Sequence, residues 1–233
     1  MIEQLVPRAA VGAEAVDDGD SAGLFPEELP FVAGRSPRRH RQFATVRDCA
    51  RRALETLGVP PGPILPGHCG APRWPAGIVG SMTHCAGYCG AVVGRTTDLA
   101  MVGLDAEPAA ALPKGVLSMV ASPGEQEHQN ALHETQPFPY WDRLLFSAKE
   151  AAYKAWFPRS RRWSALRDVA VCLHPSGIFT ASVPRVVGDT GAAADHMLLA
   201  GRWLVSGDLL CTLATEATED TVVDEALAGV LSG

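Results

Sequence analysis

The segment Trp141–Phe157 constrains this chain more than any other. At 100° per residue, Leu144, Ala148, Ala151 and Ala155 form one apolar side and Phe146, Tyr153 and Phe157 an aromatic stripe opposite it. A helix apolar on two sides is not a surface helix and has to be enclosed. Glu150 falls in the middle of the aromatic stripe, where a carboxylate either keeps its proton or receives a cation. Lys149 and Lys154 flank that stripe and are placed to meet anionic oxygens. An ordinary surface pair between Glu150 and Lys154 would contribute only about 0.3–0.5 kcal/mol and leaves the aromatic surroundings without a reason.

A second fragment completes the chemistry. Ala100–Glu107 reads as a strand, with Asp105 and Glu107 projecting from one face because they are two residues apart. The preceding Met101-Val102-Gly103-Leu104 is too apolar for a simple surface strand. Two carboxylates on one face are within reach of a single hard cation, and magnesium needs only two or three protein carboxylates when it also binds substrate phosphates. With Glu150 and the lysines of the long helix, this is a phosphoryl-transfer site in outline.

Composition narrows the setting. The 233 residues are 47% hydrophobic and 20% charged, enough for one large core or two lobes. No apolar run reaches the roughly 18 residues of a membrane span, and Met1-Ile2-Glu3-Gln4 does not open a secretory signal, so a cytoplasmic location is expected. The net charge of −6 argues against duplex DNA or an anionic membrane as partner. Against that average, Arg35, Arg38, Arg39, Arg41, Arg47, Arg51 and Arg52 face a single acid, Asp48, which suggests a local anion site or a solvated arginine face. The six cysteines include no Cys-x-x-Cys pair and read as small core thiols. His68, Cys69, His84, Cys85 and Cys89 contain zinc-ligand types, but their spacing matches no common zinc module.

The punctuation divides the chain. Residues 12 to 37 look irregular, a helix is expected from about Arg38 to Gly58, and a Gly/Pro-rich loop runs to Pro75. Gly90–Gly94 reads as a strand. Helices are expected at Pro123–His133 and Trp141–Phe157, then short strand-like runs at Val169–Leu173, Ile178–Val183, Trp203–Val205 and Leu209–Leu213. The pattern is α+β, with residues 109–115 as a connector between an N-terminal lobe, 1–112, and a C-terminal lobe, 113–233.

Gly103-Leu104-Asp105-Ala106-Glu107, then Phe146-Ser147-Ala148-Lys149-Glu150-Ala151-Ala152-Tyr153-Lys154-Ala155, with Trp74-Pro75 and Gly80-Ser81-Met82-Thr83-His84 before them, resemble in order the motifs of the two-lobed, single-chain 4′-phosphopantetheinyl transferases. The resemblance covers about residues 38 to 170. It implies two similar α+β lobes related by a pseudo-two-fold axis, acting as a monomer on carrier proteins of fatty-acid, polyketide and peptide synthases. It further implies coenzyme A between the lobes: His84 with Arg39 or Arg47 on the 3′-phosphate, Ser81 and Thr83 nearby, and the backbone of Gly70, Ala71 and Pro72 against adenine. Asp105, Glu107 and Glu150 would hold magnesium, or manganese in its place, on the diphosphate. Lys149 and Lys154 would neutralise developing charge, and Glu150 would take the proton of the carrier serine. Many relatives carry Lys where this chain has Ala71, so a phosphate contact there falls to the arginine cluster. The basic run Pro158-Arg159-Ser160-Arg161-Arg162-Trp163 would dock an acidic carrier.

Other readings compete. A metal-dependent nuclease would need the usual Glu-x-Lys, absent because Pro108 and Ala109 follow Glu107. A hydrolase using Ser81 and His84 lacks a Gly-x-Ser-x-Gly elbow. A non-catalytic coenzyme A-binding protein would have little use for Asp105, Glu107, Glu150 and Lys154.

Overall fold

A computed structural model describes residues 1–16, 23–162, 164–185 and 196–216. Strand β1, Ala10–Val16, precedes helix α1, Pro37–Thr56. The Ser36 hydroxyl caps α1 by accepting the Arg39 N–H at 3.3 Å, with Pro37 in the first turn. Gly58 ends the helix at φ +73°, and the Val59 amide bonds back to Leu54. Strands β2, Ile78–Cys85, and β3, Tyr88–Arg95, form a hairpin, and β1 pairs with β3 on its other side. The 12–37 segment is therefore not irregular throughout: its first residues belong to β1, whose small residues Ala10, Gly12, Ala13 and Ala15 carry little strand signal. Glu14 of β1 accepts the Tyr88 hydroxyl at 2.8 Å and the Ile2 amide at 3.1 Å.

The second region repeats the scheme. Strand β4, Val102–Pro108, is followed by helices α2, Val116–Val120, α3, Pro123–Thr135, and α4, Trp141–Ser160, then by strands β5, Ala170–His174, β6, Ile178–Pro184, β7, His196–Ser206, and β8, Leu209–Glu216. The two sheets, in order β1-β3-β2 and β4-β8-β7-β6-β5, are antiparallel. In each, the strand before the long helix pairs with the last strand of its region, and the strand after the helix lies at the far edge. This is the expected two-lobed α+β arrangement. Strand β4, which precedes the 109–115 connector, pairs with β8 from Val102↔Thr215 to Pro108↔Leu209, so the second sheet includes the acidic strand. Among the described residues, no helix is long and apolar enough to cross a membrane.

The sheets meet edge to edge. The Ser81 hydroxyl of β2 accepts the Leu104 amide at 3.0 Å, and the Thr83 hydroxyl accepts the Ala106 amide at 3.1 Å. Across the other face, α4 lies directly on β4. A Cβ built on Gly103 would sit 1.9 Å from the Ala151 carbonyl oxygen and 2.5 Å from the Ala155 nitrogen, so only glycine permits the approach. Gly103→Ala should destabilise the protein by about 3 kcal/mol, the upper range for an overpacked core. Gly124→Ala, in α3 with nothing within 4 Å of the new methyl, should be neutral or slightly stabilising. Denaturant unfolding of both variants checks this, and equal midpoints would rule the contact out as a constraint.

Candidate functional site

Asp105 stands at the seam between the lobes and is 4% exposed. Its Oδ1 accepts Lys154 Nζ at 2.6 Å and the Thr83 hydroxyl at 3.4 Å, and its Oδ2 accepts the Ser147 hydroxyl at 2.8 Å. Strand alternation puts Asp105 and Glu107 on the Gly103 face, toward α4. Glu107 pairs with Arg143 Nη1 at 2.8 Å, while the same guanidinium donates to the Ala110 and Ala111 carbonyls. Glu150, half-buried on α4, accepts no hydrogen bond among the described residues. Burial raises its carboxyl above the usual range, and Asp105 and Glu107 add to the effect against the opposing Lys154. Burial also raises Glu107, with Asp105 adding and Arg143 opposing. Burial disfavours the charge of Lys154, but Asp105, then Glu150 and Glu107, hold its pKa above the ordinary value.

Among the described residues, no three His, Cys, Asp or Glu side chains converge into a finished metal cage. Asp105 and Glu107 are each held by a cation of the protein itself. The donor chemistry nonetheless suits a hard divalent ion: Asp105 adds to the proton affinity of Glu107 and of Glu150, Glu107 adds to that of Glu150, and Glu150 accepts no hydrogen bond among the described residues.

A cleft of about 370 Å³ opens beside these groups. One wall is the Cys69–Pro72 turn and Gly80–Met82 of β2, and the other is Glu150, Tyr153, Lys154, Phe157 and Pro158 of α4. Cys69 (φ +49°) and Gly70 (φ +83°) bend the turn toward α4. Tyr153 and Phe157 stack at 5.3 Å, and His68 lies parallel to Phe157 at 5.9 Å. Arg39 donates to His84 Nε2. Burial, Arg39 and Lys154 lower the His84 pKa, with Asp105 opposing, and a ring nitrogen that accepts from a guanidinium is the neutral form.

Asp105, Glu107, Glu150 and Lys154 thus come together, with Gly70, Ala71, Pro72 and Ser81 on the cleft wall and Arg39 beside His84. Ser81 and His84 fall on opposite faces of β2, which removes a hydrolytic pair. Thr83 is buried, its hydroxyl committed to β4. Arg47 is buried as well, donating to the Ile64 and Phe43 carbonyls with its guanidinium over the Phe43 ring.

Lys149 is a correction. It is fully buried on the far side of α4, paired with Glu125 at 2.7 Å and donating to the Val169 and Leu166 carbonyls. A residue adjacent to Glu150 in sequence is turned 100° away from it, and the capping carboxylate of α3 claims it. Arg143 is the residue missed. It precedes Glu150 by two helical turns on the same stripe, a spacing visible in the sequence. Of the cysteines, Cys49, Cys89 and Cys211 are buried as expected, whereas Cys69 is exposed in the cleft wall.

Lys149→Met should lower stability by about 3–5 kcal/mol, because it strands the Glu125 charge in the interior. Adding Glu125→Gln should recover much of the loss. Denaturant titration of the two single variants and the double decides it, and strict additivity would mean that the pair is not coupled.

Two family profiles adjoin at the sheet boundary: the 4′-phosphopantetheinyl transferase N-terminal domain matches residues 27–94, and the 4′-phosphopantetheinyl transferase superfamily matches residues 101–214. The chain is 45% identical over 236 residues to the 4′-phosphopantetheinyl transferase Svp of Streptomyces mobaraensis, covering 98% of this chain and 94% of that protein. It is 45% identical over 205 residues to the transferase PptT of Mycobacterium tuberculosis, with 86% and 89% covered. To the transferase Npt of Nocardia iowensis it is 38% identical over 221 residues, with 91% and 98% covered. Similarity that runs through both lobes and through the cleft between them shows that this chain belongs to the 4′-phosphopantetheinyl transferases, which move the phosphopantetheine arm of coenzyme A onto a carrier-protein serine.

Proposed function

We propose that the interlobe cleft takes coenzyme A, that Asp105, Glu107 and Glu150 hold magnesium or manganese against its diphosphate, and that the acceptor is a carrier-protein serine. The pairing of Asp105 on β4 with Lys154 on α4, beside Glu150 in the same cleft wall, carries the reading. The bound cation would neutralise diphosphate charge. The serine hydroxyl attacks the β-phosphorus, the bond to 3′,5′-adenosine diphosphate breaks, and the serine proton passes to Glu150, whose raised proton affinity suits a base. Lys154 meets the charge that develops on phosphate oxygens. Tyr153 and Phe157 supply an apolar surface beside them. Because one chain supplies both cleft walls, a monomer suffices.

Mass spectrometry of carriers incubated with coenzyme A and magnesium tests the reaction: a phosphopantetheine adduct is expected, and binding without an adduct would leave a coenzyme A-binding protein. Asp105→Asn and Glu150→Gln should each keep the fold and lower transfer by at least about a hundredfold. Excess chelator should do the same to the parent protein. Full activity in chelator would remove the metal from the reading.

His84 gives a pH signature. A 3′-phosphate placed between Arg39 and His84 would offset the positive charges that lower the ring pKa, so binding should take up a proton. Affinity for coenzyme A should rise as pH falls through the pKa of the bound state and level off below that of the free state. Calorimetry in buffers of different ionisation heat measures the uptake. Dephospho-coenzyme A and the variant His84→Gln should show none, and equal uptake by dephospho-coenzyme A would move the phosphate elsewhere.

Arg161 ends α4 in a left-handed conformation and, with His68 and Arg73, lines a second groove against the cleft wall. Exposed Arg161 and Arg162 suit an acidic carrier surface, while Trp163 lies outside the described residues. Arg161→Glu with Arg162→Glu should raise KM for carrier and flatten its salt dependence, leaving the Kd for coenzyme A unchanged. Loss of coenzyme A binding instead would assign these arginines to the nucleotide.

A further inference from the structure

A buried acid stands behind the proposed anion site. Glu28, between β1 and α1, is 0% exposed. Its Oε1 accepts the Ile64 amide at 2.8 Å and Arg51 Nη1 at 3.2 Å, its Oε2 accepts the Phe25 amide at 2.9 Å, and Arg47 Nε lies 3.6 Å away. Arg47 Nε in turn donates to the Ile64 carbonyl at 2.9 Å. Both backbone groups of Ile64, itself 1% exposed, are therefore held, one by Glu28 and the other by an arginine that Glu28 attracts.

Ile64 begins the excursion that forms one cleft wall. Arg73 returns to the Leu65 carbonyl at 2.8 Å, and Gly67 bonds to Ala71 at 2.6 Å, leaving Cys69–Pro72 as the tip against α4. On α1, Arg39, Arg47 and Arg51 lie on one stripe. Arg47 and Arg51 are four residues apart and repel, and burial draws the Arg47 pKa down to about 10, with Glu28 opposing and Arg51 and Arg39 adding. Glu28 is the acid that lets Arg47 and Arg51 share the interior, while Arg39 stays exposed.

We propose that Glu28 is a positioning residue for coenzyme A binding, setting the Ile64 stem of the cleft wall through its amide and, by way of Arg47, its carbonyl, without touching the ligand. The proposal rests on the reading that the cleft takes coenzyme A. It makes a prediction opposite in sign to simple electrostatics. Removing a negative charge on the side of an anionic ligand should tighten binding, whereas loosening the wall should weaken it.

In the full chain, Glu28→Gln is expected to raise the Kd and KM for coenzyme A about tenfold, a loss of preorganisation, while kcat at saturating coenzyme A and KM for carrier stay within about twofold. A merely structural role would lower the folded fraction, and so apparent kcat, without moving KM. Should Glu28→Gln fail to fold, Glu28→Asp carries the same comparison, since it keeps the charge but withdraws its reach to the Ile64 amide. A folded variant with unchanged or lower KM for coenzyme A overturns the proposal. Failure of the parent protein to bind coenzyme A in calorimetry, measured before any variant, overturns the cleft reading itself.

Discussion

Two hydroxyls hold the lobes in register. Ser81 and Thr83 accept the amides of Leu104 and Ala106, on either side of Asp105, so the acid is clamped between the points at which the sheets are stitched. Each bond contributes only about 1 kcal/mol net, but an edge amide left buried without an acceptor costs about 1–3 kcal/mol. The stitching also covers an edge of each sheet that would otherwise be open to stray pairing. With β4 fixed to β2 on one side and to α4 through Gly103 on the other, the cleft walls have little freedom to separate.

The charges at the seam are balanced before any ligand arrives. Lys154 answers Asp105 and Arg143 answers Glu107, while Thr83 and Ser147 supply further donors to Asp105. Burying three carboxylates without such partners would be prohibitive. Glu150 is the exception, with raised proton affinity. The lobe interiors use the same device: Glu125 with Lys149 in one, Glu28 with Arg51 in the other.

Periodicity carried much of the fold. The helices, the acidic strand and most of the later strands were legible because α4 has its 3.6-residue pattern and β4 its alternation. What the sequence concealed was tertiary. Ala10–Val16 is a strand through pairing with β3 rather than through its own composition. The ladder between β4 and β8 spans the Gly/Pro-containing connector, a pairing between segments about a hundred residues apart that no local pattern announces. For the candidate site, motif and helix phase single out Asp105, Glu150 and Lys154, and in the fold Asp105 pairs with Lys154. Lys149 is held away from the cleft by Glu125, and Arg47 is buried on the Ile64 carbonyl, both partners being remote in sequence. Arg143 was overlooked although its phase on α4 was visible.

The repetition of strand, long helix and returning strands has a final consequence. At the start of each repeat a similar string appears: Val11-Gly12-Ala13-Glu14-Ala15 in β1 and Val102-Gly103-Leu104-Asp105-Ala106 in β4. The copies have diverged in what they do with the acid. Glu14 is spent on the Tyr88 hydroxyl and the Ile2 amide, which makes it a structural tie. Asp105 instead faces a lysine on the cleft wall. Two turns of one architectural scheme thus use their acid differently, the first to anchor the frame and the second to meet charge at the cleft wall.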